Sequence, residues 1–309
     1  MGIVLRKYNR EKDYQRVNDF LNETYIGEGK YLNWLQPRWE YMHFHPMQDE
    51  SNLNRIGIWE DTGKIVAVVN YEMRLGEAFF HVDPDYTHLK EEMFEYAEAN
   101  LLGQSGKYPD KKYLSANIND FDKELEEIAE SKGYKKTETD KPWCVVTWMP
   151  IPNPFPEIKL PEGFRLQSLA DDNDLHKVDR VLWRGFNHTG EPPANGIEDR
   201  KLMQSAPNFR KDLNIVVVAP NGDFVSYAGI WFEETHKYAY VEPVATDPDY
   251  RRMGLGKAAV LEAVRRCGEL GATVAYVEST LPIYLSCGFK RIFGRYPWVK
   301  YFDKQQKHT

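Results

Sequence analysis

Apolar positions in the second half of the chain fall into short runs separated by turn residues. Alternating or continuous runs predict strands over 164–169, 215–219, 224–233 and 238–246. Asn221-Gly222 supplies a hairpin turn between the second and third of them. The period then changes. Val260, Leu261, Val264 and Cys267 form a stripe at helical spacing, Glu262 stands four residues before Arg266, and Gly271 fits the position after a helix end, so a helix is predicted over 256–270. A strand over 273–277 follows. A short helix over 282–286 comes next, with Ser279 or Thr280 as its cap and Pro282 in its first turn, and a last strand starts at Phe289. The pattern is that of a mixed α/β unit.

The first half carries a faint copy of the second. GIVLRKYNREKDYQRVNDFL and GFRLQSLADDNDLHKVDRVL each read as a short strand followed by an amphipathic helix. Asp83-Pro84-Asp85-Tyr86 recurs as Asp247-Pro248-Asp249-Tyr250, 164 residues on. Ser131-Lys132-Gly133-Tyr134-Lys135 recurs as Ser286-Cys287-Gly288-Phe289-Lys290, and Pro142-Trp143 as Pro297-Trp298, both 155 residues on. The turn-rich stretch 103–110 of the first half accounts for the change of offset. Between the copies, residues 149–163 hold five prolines, which cannot feed a sheet ladder. Two tandem α/β domains are therefore expected: 1–148, a linker over 149–162, and 163–309.

Composition narrows the function classes. The chain has 309 residues, 42% hydrophobic and 28% charged, with a net charge of −7. That is the profile of a globular protein long enough for two domains. No Lys/Arg block tracks phosphates, so a nucleic-acid partner is not expected. The three cysteines, Cys144, Cys267 and Cys287, form no C-x-x-C pair and have no histidines at zinc spacing, so no metal is expected and the thiols read as reduced. The N-terminus has charges where a signal peptide needs its apolar core, and no run approaches the ~20 apolar residues of a membrane span. A cytoplasmic protein without a membrane partner is expected.

One stretch carries chemistry. A strand ending in Val244-Ala245-Thr246 runs into a loop with Arg251, Arg252, Gly254 and Gly256, and the loop opens a helix. N–H groups at a helix start are unpaired and lie at the positive end of the dipole. Glycines let the backbone approach a diphosphate closely, and the two arginines, with Lys257, add positive charge. The pattern describes an anion site suited to a pyrophosphate, or else a tight turn with a surface charge cluster. It matches neither common nucleotide fingerprint.

Arg251-x-x-Gly254-x-Gly256 after a strand, with Tyr284-x-x-x-Gly288-Phe289 downstream, resembles the GCN5-related N-acetyltransferase superfamily over residues 163–302. The resemblance implies a V-shaped opening between two strands that admits acetyl-CoA as a cosubstrate. Its pantetheine would pair with backbone groups at Val244, Ala245 and Thr246. Its pyrophosphate would lie on the N–H groups of Arg252, Met253, Gly254, Leu255, Gly256 and Lys257. The family often has an asparagine seven residues before the tyrosine. Here that position is Val277, and Ser279 and Thr280 are the polar groups nearby.

Transfer to an amine requires loss of a proton from an ammonium of pKa ~10, and protonation or stabilisation of the departing thiolate. Glu242 is the candidate general base. It sits two residues before Val244 and should share that residue's face. It could instead bind a cationic acceptor or pair with an arginine. By resemblance, Tyr284 would protonate the thiolate or hydrogen-bond the sulfur. Cys287 reads as a packed thiol, with no activating base beside it. His188 and Glu191 lie in the loop where the family builds its acceptor site; they could contact the acceptor, or be polar features of that loop alone. In the first half, Thr87, Lys90 and Glu92 replace Arg251, Gly254 and Gly256, while Ala78 and Ala129 stand for Glu242 and Tyr284. Acidic residues would repel a diphosphate there. The expectation is an N-acetyltransferase, monomeric or homodimeric, with one working site in the second domain and a small-molecule or peptide amine as acceptor. A non-catalytic acyl-CoA binder or scaffold is the alternative, and the two titratable groups argue against it.

Overall fold

The computed structural model describes residues 2–27, 33–137 and 142–303. The first half contains β1 (Val4–Lys7), α1 (Arg10–Glu23), α2 (Gln36–His43), β2 (Gly57–Asp61), β3 (Lys64–Asn70), β4 (Glu77–Val82), α3 (Lys90–Asn100), β5 (Gly103–Gln104), β6 (Lys111–Asn119), α4 (Lys123–Ser131) and β7 (Lys135–Lys136). Then follow β8 (Cys144–Pro150), β9 (Arg165–Ser168), α5 (Leu175–Gly185), α6 (Gly196–Gln204), β10 (Ile215–Val218), β11 (Phe224–Glu233), β12 (Tyr238–Thr246), α7 (Leu255–Glu269), β13 (Val274–Val277), α8 (Pro282–Cys287) and β14 (Lys290–Asp303).

The chain forms two compact units. The first takes residues up to His43, Met47–Val145 and the chain from Phe293 on; the second takes Phe44–Pro46 and Val146–Ile292. The sheet of the first unit runs β1-β2-β3-β4-β6-β14, and that of the second runs β9-β10-β11-β12-β13-β8. A cut between 148 and 163 therefore does not follow the packing. β14 forms a nine-residue antiparallel ladder with β6, from Arg295 opposite Asn119 to Asp303 opposite Lys111. β8 pairs with β13 over Thr147–Pro150. The proline-rich stretch is not a free linker either: Ile151, Phe155 and Leu160 pack on the core of the second unit.

In the second unit, β11 is buried along its whole length, as a central strand of β-branched and aromatic residues should be. α7 packs one face on that sheet through Leu255, Ala259, Val260, Ala263, Val264 and Cys267. On the opposite side, Val178, Val181 and Leu182 of α5 join Val216, Val218, Phe224 and Tyr227 in a separate cluster. Asp174 starts α5 by accepting the N–H groups of His176 and Lys177. In the first unit, Asn9 and Asp122 cap α1 and α4 in the same way. No helix among the described residues is long and apolar enough to cross a membrane.

Candidate active site in the second unit

β12 and β13 run parallel, but they pair only from Tyr238 opposite Val274 to Tyr240 opposite Tyr276. β12 continues for six residues with β11 alone on its other side, so the sheet opens along this edge. The direction of the backbone groups follows from one hydrogen bond. Asp247 N–H donates to Val225 C=O, so the groups of Thr246 and, two residues earlier, Val244 point away from β11 into the opening. Those of Ala245 point toward β11, and its carbonyl accepts from Ser226 Oγ at 3.1 Å. Of the three positions expected to meet a ligand through their backbone, Ala245 is thus turned the wrong way.

A β-bulge interrupts the ladder between β11 and β12. Ala228 faces Val244 and Ile230 faces Val241, which leaves Gly229 opposite both Glu242 and Pro243. Glycine is required at 229, because a Cβ there would come within 2.6 Å of the Glu242 carbonyl. That carbonyl accepts from Trp231 Nε1 at 3.1 Å. The bulge corrects the expected side-chain parity. Val241 and Val244, three residues apart, pack on the same core, so half-buried Glu242 does not share the face of Val244.

The strand ends at Asp247, which is buried and caps a 3-10 turn over Pro248–Tyr250 by accepting Asp249 N–H at 3.0 Å. Arg184 grips the same carboxylate with Nε at 2.5 Å and Nη2 at 3.0 Å. Burial alone would raise the Asp247 pKa; the Arg184 hydrogen bonds and the capped N–H outweigh it and hold the group below the usual carboxylate range. Gly185, at the end of α5, fits directly against Ala245, where a Cβ would lie 2.6 Å from the Ala245 Cβ.

The loop then turns through two left-handed residues, Arg252 at φ 68° and Gly254 at φ 82°, and Gly254 leads into α7 with no side-chain cap on the first turn. The first-turn N–H groups of Leu255, Gly256 and Lys257 therefore have no intrahelical acceptor. Arg251 supports the loop from within: its Nε donates to Thr246 C=O at 3.1 Å and its Nη2 to Gly185 C=O at 2.8 Å. Lys257 Nζ donates to Ser286 C=O at 2.7 Å and so ties α7 to α8. Arg252, Met253 and Gly254 are exposed. Gly256 is wedged where a Cβ would meet Ile283 Cδ1 and Thr246 Oγ1, each at 2.7 Å.

Tyr284 lies in α8, buried, with its ring edge-on to Phe289 at 6.1 Å. Burial pushes its phenol well above the ordinary value, and the charges of Glu242 and Cys287 add to the shift. Burial also pushes the Cys287 thiol up, to about 11, so it stays protonated near neutral pH. α8 starts at Leu281 with no side-chain cap, so neither Ser279 nor Thr280 caps it; Ser279 Oγ accepts Leu281 N–H instead. His188 is exposed and stacked on Trp183 at 4.2 Å. Glu191 is exposed and pairs with Arg180 at 3.3 Å, and Arg180 lies 3.7 Å from Asp247. Among the described residues, no group of His, Cys, Asp and Glu could hold a metal ion.

The first unit has the same strand end without the same loop. Asp83 caps a 3-10 turn over Pro84–Leu89 by accepting Asp85 N–H at 3.0 Å, and Asp83 N–H donates to Val66 C=O. Tyr134 N–H donates to Ala129 C=O as Phe289 N–H does to Tyr284 C=O, so Ala129 holds the place of Tyr284. Ala78 does not hold the place of Glu242. β3 and β4 pair without a bulge from Ala67–Val82 to Asn70–Phe79. Counted along the ladders, Ala78 matches Val241, and Glu242 belongs to the bulge of β12, which β4 lacks. At the helix start, Lys90 Nζ is clamped between Asp122 at 2.7 Å and Glu124 at 2.9 Å, and Glu92 accepts from Trp59 Nε1. A shallow cavity of about 400 Å³ beside them is lined by Glu91, Glu124 and Glu127 among others.

The mixed α/β fold with this opened sheet is similar to that of solved GCN5-related N-acetyltransferases. The Acetyltransferase (GNAT) family matches residues 176–289. That match lies within the second unit and covers less than half of the chain. A GCN5-related N-acetyltransferase from Sphaerobacter thermophilus is similar at TM-score 0.65 and 14% identity, over 98% of this chain and 96% of that one. A tandem GNAT protein from the clavulanic acid biosynthesis pathway gives TM-score 0.63 and 12% identity, over 99% and 100%. Saccharomyces cerevisiae N-myristoyltransferase, solved with bound myristoyl-CoA, gives 0.55 and 12%, over 98% and 79%. At these identities the likeness is one of fold. Comparison with curated protein sequences finds no match.

Proposed function

We propose that the second unit binds acetyl-CoA and transfers its acetyl group to a primary amine of a small molecule or peptide, while the first unit is non-catalytic. The observation that carries the reading is the open edge of β12, whose Val244 and Thr246 backbone groups face the gap and lead into the uncapped first turn of α7. A pantetheine amide fits such an edge, and a diphosphate fits N–H groups from Arg252 to Lys257 beside exposed Arg252. Arg251 and Lys257 act through the loop rather than on the phosphate, because their charged ends already serve backbone carbonyls.

Acetyl-CoA supplies the activated acyl carbon. The residues of this chain handle the protons. Glu242 accepts one from the acceptor amine or holds the amine as a cation. Tyr284, kept protonated by its burial, donates one to the sulfur as the carbon–sulfur bond breaks and the carbon–nitrogen bond forms. The test is acetyl-CoA consumption, followed by thiol release, across polyamines, aminoglycosides and short peptides. Turnover of at least one amine whose kcat/KM falls sharply in Glu242→Gln and Tyr284→Phe is the expected result. Acetyl-CoA binding without turnover of any amine class would leave a binding protein instead.

A further inference from the structure

Val82 in the first unit and Thr246 in the second are equivalent. Each precedes an aspartate that caps a proline-led 3-10 turn, and in each case that aspartate's N–H bonds to the neighbouring strand, Val66 or Val225. The backbone N–H and C=O of both residues therefore point to the open side of their sheets. In the first unit that side is open too, because β4 and β6 pair only at Glu77–Ser115 and Ala78–Ala116.

The two edges are satisfied differently. In the second unit the Thr246 carbonyl accepts from Arg251, a residue of the loop. The first unit has Thr87 at that loop position and no arginine fork to offer. There a single side chain serves both groups: Val82 N–H donates to Asn33 Oδ1 at 2.9 Å, and Asn33 Nδ2 donates to Val82 C=O at 3.2 Å. The second hydrogen of Nδ2 goes to Thr24 Oγ1 at 2.8 Å, so both amide hydrogens and the amide oxygen of Asn33 are used. Asn33 is 3% exposed.

The next residue anchors it. Trp34, also buried, donates its N–H to His81 Nδ1 at 3.3 Å and packs its ring on Phe79 at 4.7 Å and His81 at 5.1 Å. His81 Nε2 faces Asn70 Oδ1 at 2.9 Å, and burial drives the His81 pKa down to about 3. A neutral imidazole with its proton on Nε2 satisfies both contacts. Arg38 lies over the Trp34 ring at 4.5 Å and pairs with Glu72 at 2.7 Å.

We propose that Asn33 is a built-in occupant of the first unit's strand edge, its carboxamide standing where a ligand amide pairs in the second unit, so that the first unit takes up no acyl-CoA. The analogy rests on the acetyl-CoA position proposed above. A secondary amide of a pantetheine offers one N–H and one C=O to a strand edge. The Asn33 carboxamide offers the same two groups to Val82 from within the chain, already ordered. A ligand would have to break both bonds and displace Trp34 from its packing. It would then meet the acidic residues around Lys90.

Residue-resolved amide exchange on the intact chain, with and without saturating acetyl-CoA, tests this directly. In the wild type, the Val82 amide should exchange slowly and at the same rate in both conditions. The Thr246 amide should slow by roughly tenfold or more with acetyl-CoA, as expected for one new hydrogen bond to it. In Asn33→Ala, Val82 should exchange roughly tenfold faster. Asn33→Asp keeps the acceptor for Val82 N–H and should fall between. Slowing of Val82 by acetyl-CoA in the wild type would overturn the proposal, and that arm needs no variant to fold. An unchanged Val82 rate in folded Asn33→Ala would overturn it as well. No slowing at Thr246 would overturn the acetyl-CoA position, and the analogy with it, whatever Val82 does.

Discussion

β4 and β12 both stop at an aspartate with a 3-10 turn behind it, and both lose their parallel neighbour before the end. Beyond that they diverge at every level. β12 carries a bulge that brings in Glu242, an edge facing the opening and a loop whose left-handed residues expose the start of α7. β4 is regular, its edge is taken by Asn33, and its following helix starts at a lysine locked between two carboxylates. The same backbone frame thus leaves an open strand edge in one copy and a closed strand end in the other. Local insertions decide which: one extra strand residue, two glycines, and one asparagine from another loop.

The comparison is sharpened most by removing the buried phenol of Tyr284, the proposed proton donor, whose counterpart in the first unit is Ala129. Ala129 shows that the fold accepts an apolar residue at the place of Tyr284. Tyr284→Phe should therefore fold normally, keep its acetyl-CoA affinity, and lower kcat by ~10²–10⁴-fold. A rate within about twofold of wild type would make Tyr284 a packing residue. Glu242→Gln completes this test. If Glu242 is the base, kcat/KM rises with pH through an ionisation that vanishes in the variant. A raised KM at unchanged kcat would make it the holder of a cationic acceptor instead.

A smaller effect separates the two loop glycines. Alanine in a helix is favoured over glycine by ~1 kcal/mol, whereas forcing an extra carbon into a packed site costs ~1–3 kcal/mol. At Gly256 the second effect wins, because Thr246 Oγ1 belongs to a stiff β-branched side chain and sits 2.7 Å from the new Cβ. Gly256→Ala should lower the melting temperature by about 2–4 °C, read by calorimetry. A gain in stability would show that Ile283 and Thr246 yield easily and that the contact does not set the loop.

Much of the second unit was legible along the chain. The strands at 224–233 and 238–246 appear at their predicted bounds, since alternation and a hairpin turn mark their ends, and the helix predicted over 256–270 is Leu255–Glu269. α6 was not predicted: GIEDRKLMQ begins with glycine and has too few apolar positions for a stripe. The bulge was readable in principle, since Gly229 and Pro243 both sit inside a strand pattern, and each is a bulge signal there. Taking the strand as regular instead misplaced the Glu242 side chain and its counterpart at Ala78. The placement of β8 and β14 depends on which edge a strand finds far along the chain, and local pattern carries no such information. Asn33 is a single polar residue whose role exists only once β4 loses its neighbour. The roles of Arg251 and Lys257 also needed coordinates, because a basic residue in an anion loop looks the same whether it meets a phosphate or a carbonyl.

The central claim is that acyl-CoA binding resides in the second unit alone, and a calorimetric titration of the intact chain with acetyl-CoA tests it most directly. Gly254→Glu is the matched variant. No atom lies within 4 Å of a Cβ placed at Gly254, so packing is untouched, while a side chain at φ +82° is strained and a carboxylate enters the place proposed for the diphosphate. The wild type should bind one equivalent, and the folded variant none. A second equivalent of similar affinity in the wild type, or an unchanged affinity in folded Gly254→Glu, would contradict the account.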